Sequence, residues 1–102
     1  MQLYVIDWVF QNSEDQLFAT KEFCEYLRKG KLTEYIEGFE LKFLAHTPQN
    51  GSGVLICEAQ NTLIVFNLLN TWRENYNILF NIKPALTNEE LLSLQSSEDH
   101  WS

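Results

Sequence analysis

Read for its apolar and polar positions, the chain breaks into four strand-like runs separated by helix-like ones. Gln2 to Phe10 (QLYVIDWVF) is rich in β-branched and aromatic residues, which predicts a strand. Leu3, Val5, Asp7 and Val9 alternate with Tyr4, Ile6, Trp8 and Phe10, so both sides are apolar except at Asp7. A strand apolar on both sides belongs in the middle of a covered sheet. Asn12 or Ser13 caps a helix, with Glu14 and Asp15 in its first turn, where negative charge is favoured. Leu17, Thr20, Phe23, Cys24 and Leu27 recur at helical spacing, and Gly30 ends the element. Leu32 to Glu37 reads as a linker or a short helical turn.

Phe39 to Thr47 (FELKFLAHT) alternates, with Phe39, Leu41, Phe43 and Ala45 on one side and Glu40, Lys42, Leu44 and His46 on the other. This half-polar pattern suits an edge strand. Pro48 to Gly53 is a strong turn signal built around Asn50-Gly51, and Gly51-Ser52-Gly53 reads as part of it. Gly53 to Ala59 is apolar on both sides, hence a second central strand closing a hairpin. Gln60 to Glu74 is helical, capped by Asn61 or Thr62. Val65, Leu68, Leu69 and Trp72 form its wider apolar stripe; Leu63, Phe66 and Asn70 form a second. Tyr76 to Ile82 (YNILFNI) is another edge-type strand, which Pro84 terminates. Thr87 and Glu90 make a capping box ahead of a short helix carrying Leu91, Leu92 and Leu94. Residues 96–102 read as a polar tail with a lone Trp101.

The order β-α-β-β-α-β is the split βαβ arrangement. The predicted fold class is α+β: ferredoxin-like, with a four-stranded antiparallel sheet in the order 4-1-3-2 and a short C-terminal helix, as one domain over residues 1–95 followed by the tail at 96–102. Right-handed crossovers place both main helices on one face. The opposite face of the central strands is apolar too. Four strands of ordinary length present roughly 350 Å² there before side-chain relief is added. With that relief the patch exceeds what a soluble monomer usually exposes. The terminal helix is one way to cover it, but its three leucines are too few for the whole surface, so an isologous homodimer through the sheet face is the preferred expectation.

Composition narrows the partners. A chain of 102 residues is of single-domain length and buries only about two-thirds of its extended-chain surface. Its residues are 45% hydrophobic and 14% aromatic, which supplies material for an interface. A net charge of −7 and a pI near 4.6 oppose phosphate backbones and anionic lipids, so neither nucleic acid nor membrane is an expected partner. The one basic cluster, Arg28, Lys29 and Lys31, sits where cations complement a helix C-terminus. Cys24 and Cys57 lack zinc or CxxC spacing; free thiols are the preferred reading and a disulfide between them the alternative. No signal peptide is evident, because Asp7 interrupts an N-terminal apolar run that lacks basic residues. No apolar stretch reaches membrane-spanning length, and a cytoplasmic location follows by default.

Candidate chemistry is sparse. Asp7 is either a pocket carboxylate acting as acid or base, or a paired carboxylate at an interface; the second is preferred. His46 is either a general base or a structural histidine near a strand end, with the structural role preferred. An Asp7–His46 pair would strengthen catalysis if the two shared a face. Tyr4, Trp8 and Trp72 are candidate lining for an aromatic pocket between sheet and helices, although core packing is the commoner role of such residues. Arg73 would anchor an anionic ligand, or else pair with Glu74 or another acid. No metal or cofactor is expected: ligand spacing, a nucleophile elbow and a Gly-rich phosphate loop are all missing.

Several residues together resemble a known family: the N-terminal strand with Trp8, the hairpin turn Gln49-Asn50-Gly51, Trp72 late in the second helix, and the ending Pro84-Ala85-Leu86-Thr87-Asn88-Glu89-Glu90. They resemble small bacterial proteins grouped as a domain of unknown function with a dimeric α/β-barrel fold, over Met1 to about Gln95. The resemblance implies that fold and the dimer, and no activity. The wider dimeric α/β-barrel group includes cofactor-free monooxygenases, haem-degrading enzymes and stress-response proteins. Haem-degrading members use an Asn, a Trp and a helical His; this chain has Trp72 but no histidine on a main helix, which argues against haem breakdown. The functional expectation is a homodimeric, non-enzymatic binding or interaction module. The alternative is a cofactor-independent, monooxygenase-like enzyme or a carrier acting on a small apolar or aromatic molecule.

Overall fold

The alternation in Gln2–Phe10 is realised as the central strand β1, bordered on both sides. A computed structural model describes the backbone of residues 1–101 and the side chains of residues 1–96. The elements run β1 (Gln2–Phe10), α1 (Ser13–Arg28), β2 (Phe39–Thr47), β3 (Ser52–Ala59), α2 (Thr62–Tyr76), β4 (Ile78–Ala85) and α3 (Asn88–Trp101), with short 3-10 turns at Lys31–Thr33 and Pro48–Asn50. The sheet order is β2-β3-β1-β4, all neighbours antiparallel. Seen from the other edge this is 4-1-3-2, the ferredoxin-like order. The strands apolar on both sides are central, and the half-polar ones are edges.

The caps follow the sequence signals. Asn12 Oδ1 accepts from the Asp15 N–H at 2.8 Å, and Asn61 Oδ1 from the Ile64 N–H at 3.1 Å, each satisfying an orphan donor of a first turn. Thr87 Oγ1 accepts from the Glu90 N–H at 3.1 Å while Glu90 Oε1 accepts from the Thr87 N–H at 3.0 Å, a reciprocal capping box. The β2–β3 connection turns through Pro48–Asn50 and then Gly51 at φ 62°, a backbone state that glycine adopts without a Cβ penalty.

Four features differ from the sequence reading. The last strand is shifted along the chain: Tyr76 ends α2 rather than opening the strand, and Pro84 lies inside β4 opposite Tyr4 rather than ending it. An edge strand tolerates proline because one of its hydrogen-bonding sides has no partner strand. Leu17, Leu63 and Phe66 are exposed, so α1 and α2 turn narrower stripes toward the sheet than their spacing allows. Helix α3 continues to Trp101, through residues whose polar composition predicts a tail. Ser102 and the side chains from residue 97 onward, Trp101 included, lie outside the described residues.

The fourth difference moves side chains between faces. β2 and β3 pair in simple register as far as Leu41–Cys57, after which the register shifts and Phe43 pairs with Ile56. Lys42 is the extra residue of this β-bulge. A one-residue slip exchanges the faces of everything beyond it. Phe39 and Leu41 therefore face the helices, as expected, while Leu44 and His46 join them, and Phe43 and Ala45 turn to the opposite side.

The core sits between sheet and helices, on Tyr4, Ile6, Cys57, Ala59 and Val65, with Leu55, Ile64, Leu69, Phe80 and Ile82 packed around them. The opposite face carries no helix. Its middle holds Val5, Val54, Ile56 and Phe43; Asp7, Asn81 and Lys83 lie toward β4, and Glu40 and Glu58 oppose each other at one corner. The Cα radius of gyration is 16.2 Å, above the ~13 Å of a packed chain of this length. On α3, Leu91, Leu92 and Leu94 are all exposed.

Candidate functional site

The helices do not close fully onto the sheet. A cavity of about 280 Å³ lies between them, lined from the strands by Trp8, Leu44, His46, Leu55 and Phe80, from α1 by Ala19, Phe23, Cys24 and Tyr26, and from α2 by Val65, Leu68 and Trp72, among others. Among the described residues no Asp, Glu, Lys or Arg lines it. Its size is at the lower end of small-molecule sites, and its apolar wall with few polar groups is typical of them.

Two backbone devices shape the site. Gly53 pairs with Trp8 across β1 and β3. A Cβ on Gly53 would fall inside the Trp8 indole and 2.7 Å from the Ala45 carbonyl oxygen. The missing side chain is what lets the indole lie over β3. Gly53 therefore lies in the strand, as the apolar run from Gly53 predicts, and serves the site, where its glycine character alone reads as turn chemistry. The second device is the β2 bulge, which brings His46 to the cavity side.

His46 stands exposed at the rim and joins an aromatic band. Its ring meets Trp8 edge-on at 5.6 Å between centroids and Phe23 at 5.1 Å. Phe23 meets Trp72 at 5.7 Å and stacks on Tyr26 at 5.9 Å, and Trp72 continues to Tyr76 at 5.8 Å. Such pairs add about 0.5–1.5 kcal/mol each beyond burial. The band links the sheet to α1 and α2 across the cavity.

Of the candidates read from sequence, Trp8, His46 and Trp72 meet at the cavity. Tyr4 does not line it: it is buried, with its hydroxyl 2.8 Å from Thr62 Oγ1. Asp7 lies on the helix-free face, where Oδ2 is 3.6 Å from Lys83 Nζ. It therefore shares no face with His46, and the two form no catalytic pair. Arg73 sits outside the cavity beside a shallow recess of about 30 Å³ and donates to Asn70 Oδ1 at 2.8 Å. Phe23, Tyr26 and Leu44 line the cavity without having been singled out. The usable signal for Phe23 and Tyr26 was the aromatic spacing of α1, which core packing explains equally well; Leu44 comes to the cavity through the register shift in β2.

Both cysteines are free. Burial pushes the Cys57 thiol from its ordinary 9.0 up to about 11, which keeps it protonated and inert. No three His, Cys, Asp or Glu side chains among the described residues gather as a metal ion would need. No helix among them is long and apolar enough to cross a membrane.

Fold and site together define a ferredoxin-like α+β protein with an apolar, aromatic-walled cavity between its sheet and its helices. The family model described as Domain of unknown function (DUF3303) matches residues 2–98, and the chain belongs to that family. No curated protein and no solved structure matches it.

Proposed function

We propose that this protein is a homodimeric binding module that takes a small apolar molecule into the cavity between sheet and helices. The observation that carries the reading is the cavity itself: about 280 Å³ of apolar space walled by aromatic side chains. Unfilled apolar volume costs packing energy, so a fold that keeps such a space open gains by filling it. Binding rather than catalysis is favoured because, among the described residues, His46 has no acid partner and no Asp, Glu, Lys or Arg lines the wall. The dimer reading rests on the helix-free face, whose Val5, Val54, Ile56 and Phe43 form a continuous apolar centre. A second copy would cover it by an isologous contact.

The cavity is tested by titrating the full chain with N-phenylnaphthylamine, an uncharged probe that brightens in apolar surroundings. Saturation at one probe per chain is expected, with loss of the signal in Leu55→Trp, which fills the cavity from β3. A brightness that rises without saturating, or that survives the filled cavity, would refute the reading. Light scattering tests the assembly, with a mass twice the 12.0 kDa of the chain expected and a single-chain mass ending the dimer.

A further inference from the structure

We propose that the ligand is an uncharged aromatic molecule bearing one hydrogen-bonding oxygen, and that His46 reads that oxygen. The inference deepens the binding role just described and rests on it. Three observations carry it.

The first is charge. With no Asp, Glu, Lys or Arg among the described residues on the wall, an ionised ligand would leave water without a fixed counter-charge there, which is expensive. The second is the shape of the wall. Trp8, Phe23, Tyr26 and Trp72 present ring faces and edges along a continuous band, a surface that suits a planar ring more than a flexible chain.

The third is His46. Its ring is held by Trp8 and Phe23, yet no group among the described residues hydrogen-bonds its nitrogens. A neutral imidazole offers one N–H donor and one acceptor, the complement of a phenolic hydroxyl or a ring ketone. The placement depends on the Lys42 bulge; simple alternation would put His46 on the helix-free side. Bulges commonly re-aim a side chain beside a site. Water satisfies the imidazole equally well in the absence of ligand, so the decisive quantity is a preference between ligands.

Naphthalene, naphthol and naphthoate share one ring system and differ in a single group. Calorimetric titration of the full chain at neutral pH compares them directly. Naphthol is expected to bind about fivefold more tightly than naphthalene, the scale of one net hydrogen bond, and more tightly than naphthoate. In His46→Phe, which keeps a ring against Trp8 and Phe23, the naphthol advantage is expected to shrink below about twofold while naphthalene binding holds. Equal binding of naphthol and naphthalene by the native protein overturns the inference without any variant. So does naphthoate binding most tightly, or His46→Phe keeping the preference. Each of those outcomes leaves the cavity standing as a binding site. If none of the three binds, the binding role falls with it.

Discussion

The two faces of the sheet are built from the same four strands and answer to different constraints. The helix side carries Tyr4, Ile6, Trp8, Leu55, Cys57, Phe80 and His46, with no carboxylate, lysine or arginine among the described residues at the cavity. The other side mixes Val5, Val54 and Ile56 with Asp7, Lys83, Glu40 and Glu58. On the first, geometry is tight at one point and loose at another: Gly53 leaves no room for a methyl group beside Trp8, while a cavity stays open a few residues away. On the second, charges sit on the strands and balance one another locally. Lys42 reaches Glu40 at 3.3 Å, which relieves the Glu40–Glu58 opposition, and Lys83 reaches Asp7. Period-two alternation separates the two populations, and the bulge is the one place where the separation changes sides.

The largest effect that would break this contrast is expected at Gly53. Gly53→Val forces a branched side chain into the Trp8 indole and the Ala45 carbonyl. Overpacking of this kind costs about 3 kcal/mol. The neighbouring change Val54→Thr, on the helix-free face, is expected to shift monomer stability by less than about 0.5 kcal/mol. Urea unfolding of both variants measures the difference. Similar values for the two would mean that Trp8 is not confined as described, and that the faces are not packed differently.

Most of the fold was legible because it rests on alternation. β1 and β2 begin and end where their patterns do, and the two-sided apolar character of β1 and β3 identifies them as central. The misreadings within the sheet share a cause: each turns on a contact from a distant part of the chain. Phe43-Leu44-Ala45 is apolar throughout, so no local pattern marks a bulge at Lys42; only pairing with β3 does. Gly53 looks like turn chemistry next to Asn50-Gly51 until Trp8 is known to lie over it. Pro84 ends a strand in general and is tolerated here because β4 is an edge. For the site, Trp8 and Trp72 were candidates for aromatic lining because one lies on a central strand and the other on an inward helix stripe, though core packing was the preferred role; both border the cavity. His46 pointed correctly to a polar group near a strand end, but its face was invisible without the register.

A smaller effect sharpens the helix side alone. The raised thiol of Cys57 ties stability to alkaline pH. Below about pH 9 the thiol is protonated in both folded and unfolded chains and contributes no pH dependence. Between about 9 and 11 the unfolded chain loses its proton while the folded chain retains it, so stability falls as pH rises. The loss is expected to reach about 2 kcal/mol by pH 11. Urea midpoints of the native chain and of Cys57→Ala, followed across this range, isolate it. The alanine variant starts lower because a packed atom is gone, but its slope should be shallower. Parallel slopes would show that Cys57 is reached by water in the folded state and that this side of the sheet is less dry than its packing indicates.

The smallest effect bears on the other face, and its size reports what covers that face. Asp7 and Lys83 pair diagonally across β1 and β4 with side chains about half exposed in the single chain, at 47% and 52%. Exposed pairs of this kind contribute about 0–1 kcal/mol and weaken with salt. Asp7 Oδ1, however, is covered and finds no hydrogen-bond donor among the described residues. A carboxylate with one oxygen already out of water is sensitive to losing more. A double-mutant cycle with Asp7→Asn and Lys83→Met measures the coupling, at low and high protein concentration and in low and high salt. If the face stays open, the coupling remains below about 1 kcal/mol, fades with salt and ignores protein concentration. If a second copy covers it, the coupling should exceed that limit, resist salt and grow with concentration, because removing one partner then strands a charge in the interface. A small, salt-sensitive coupling in a protein that light scattering finds dimeric would place the dimer contact elsewhere, with the exposed leucines of α3 the next surface to test.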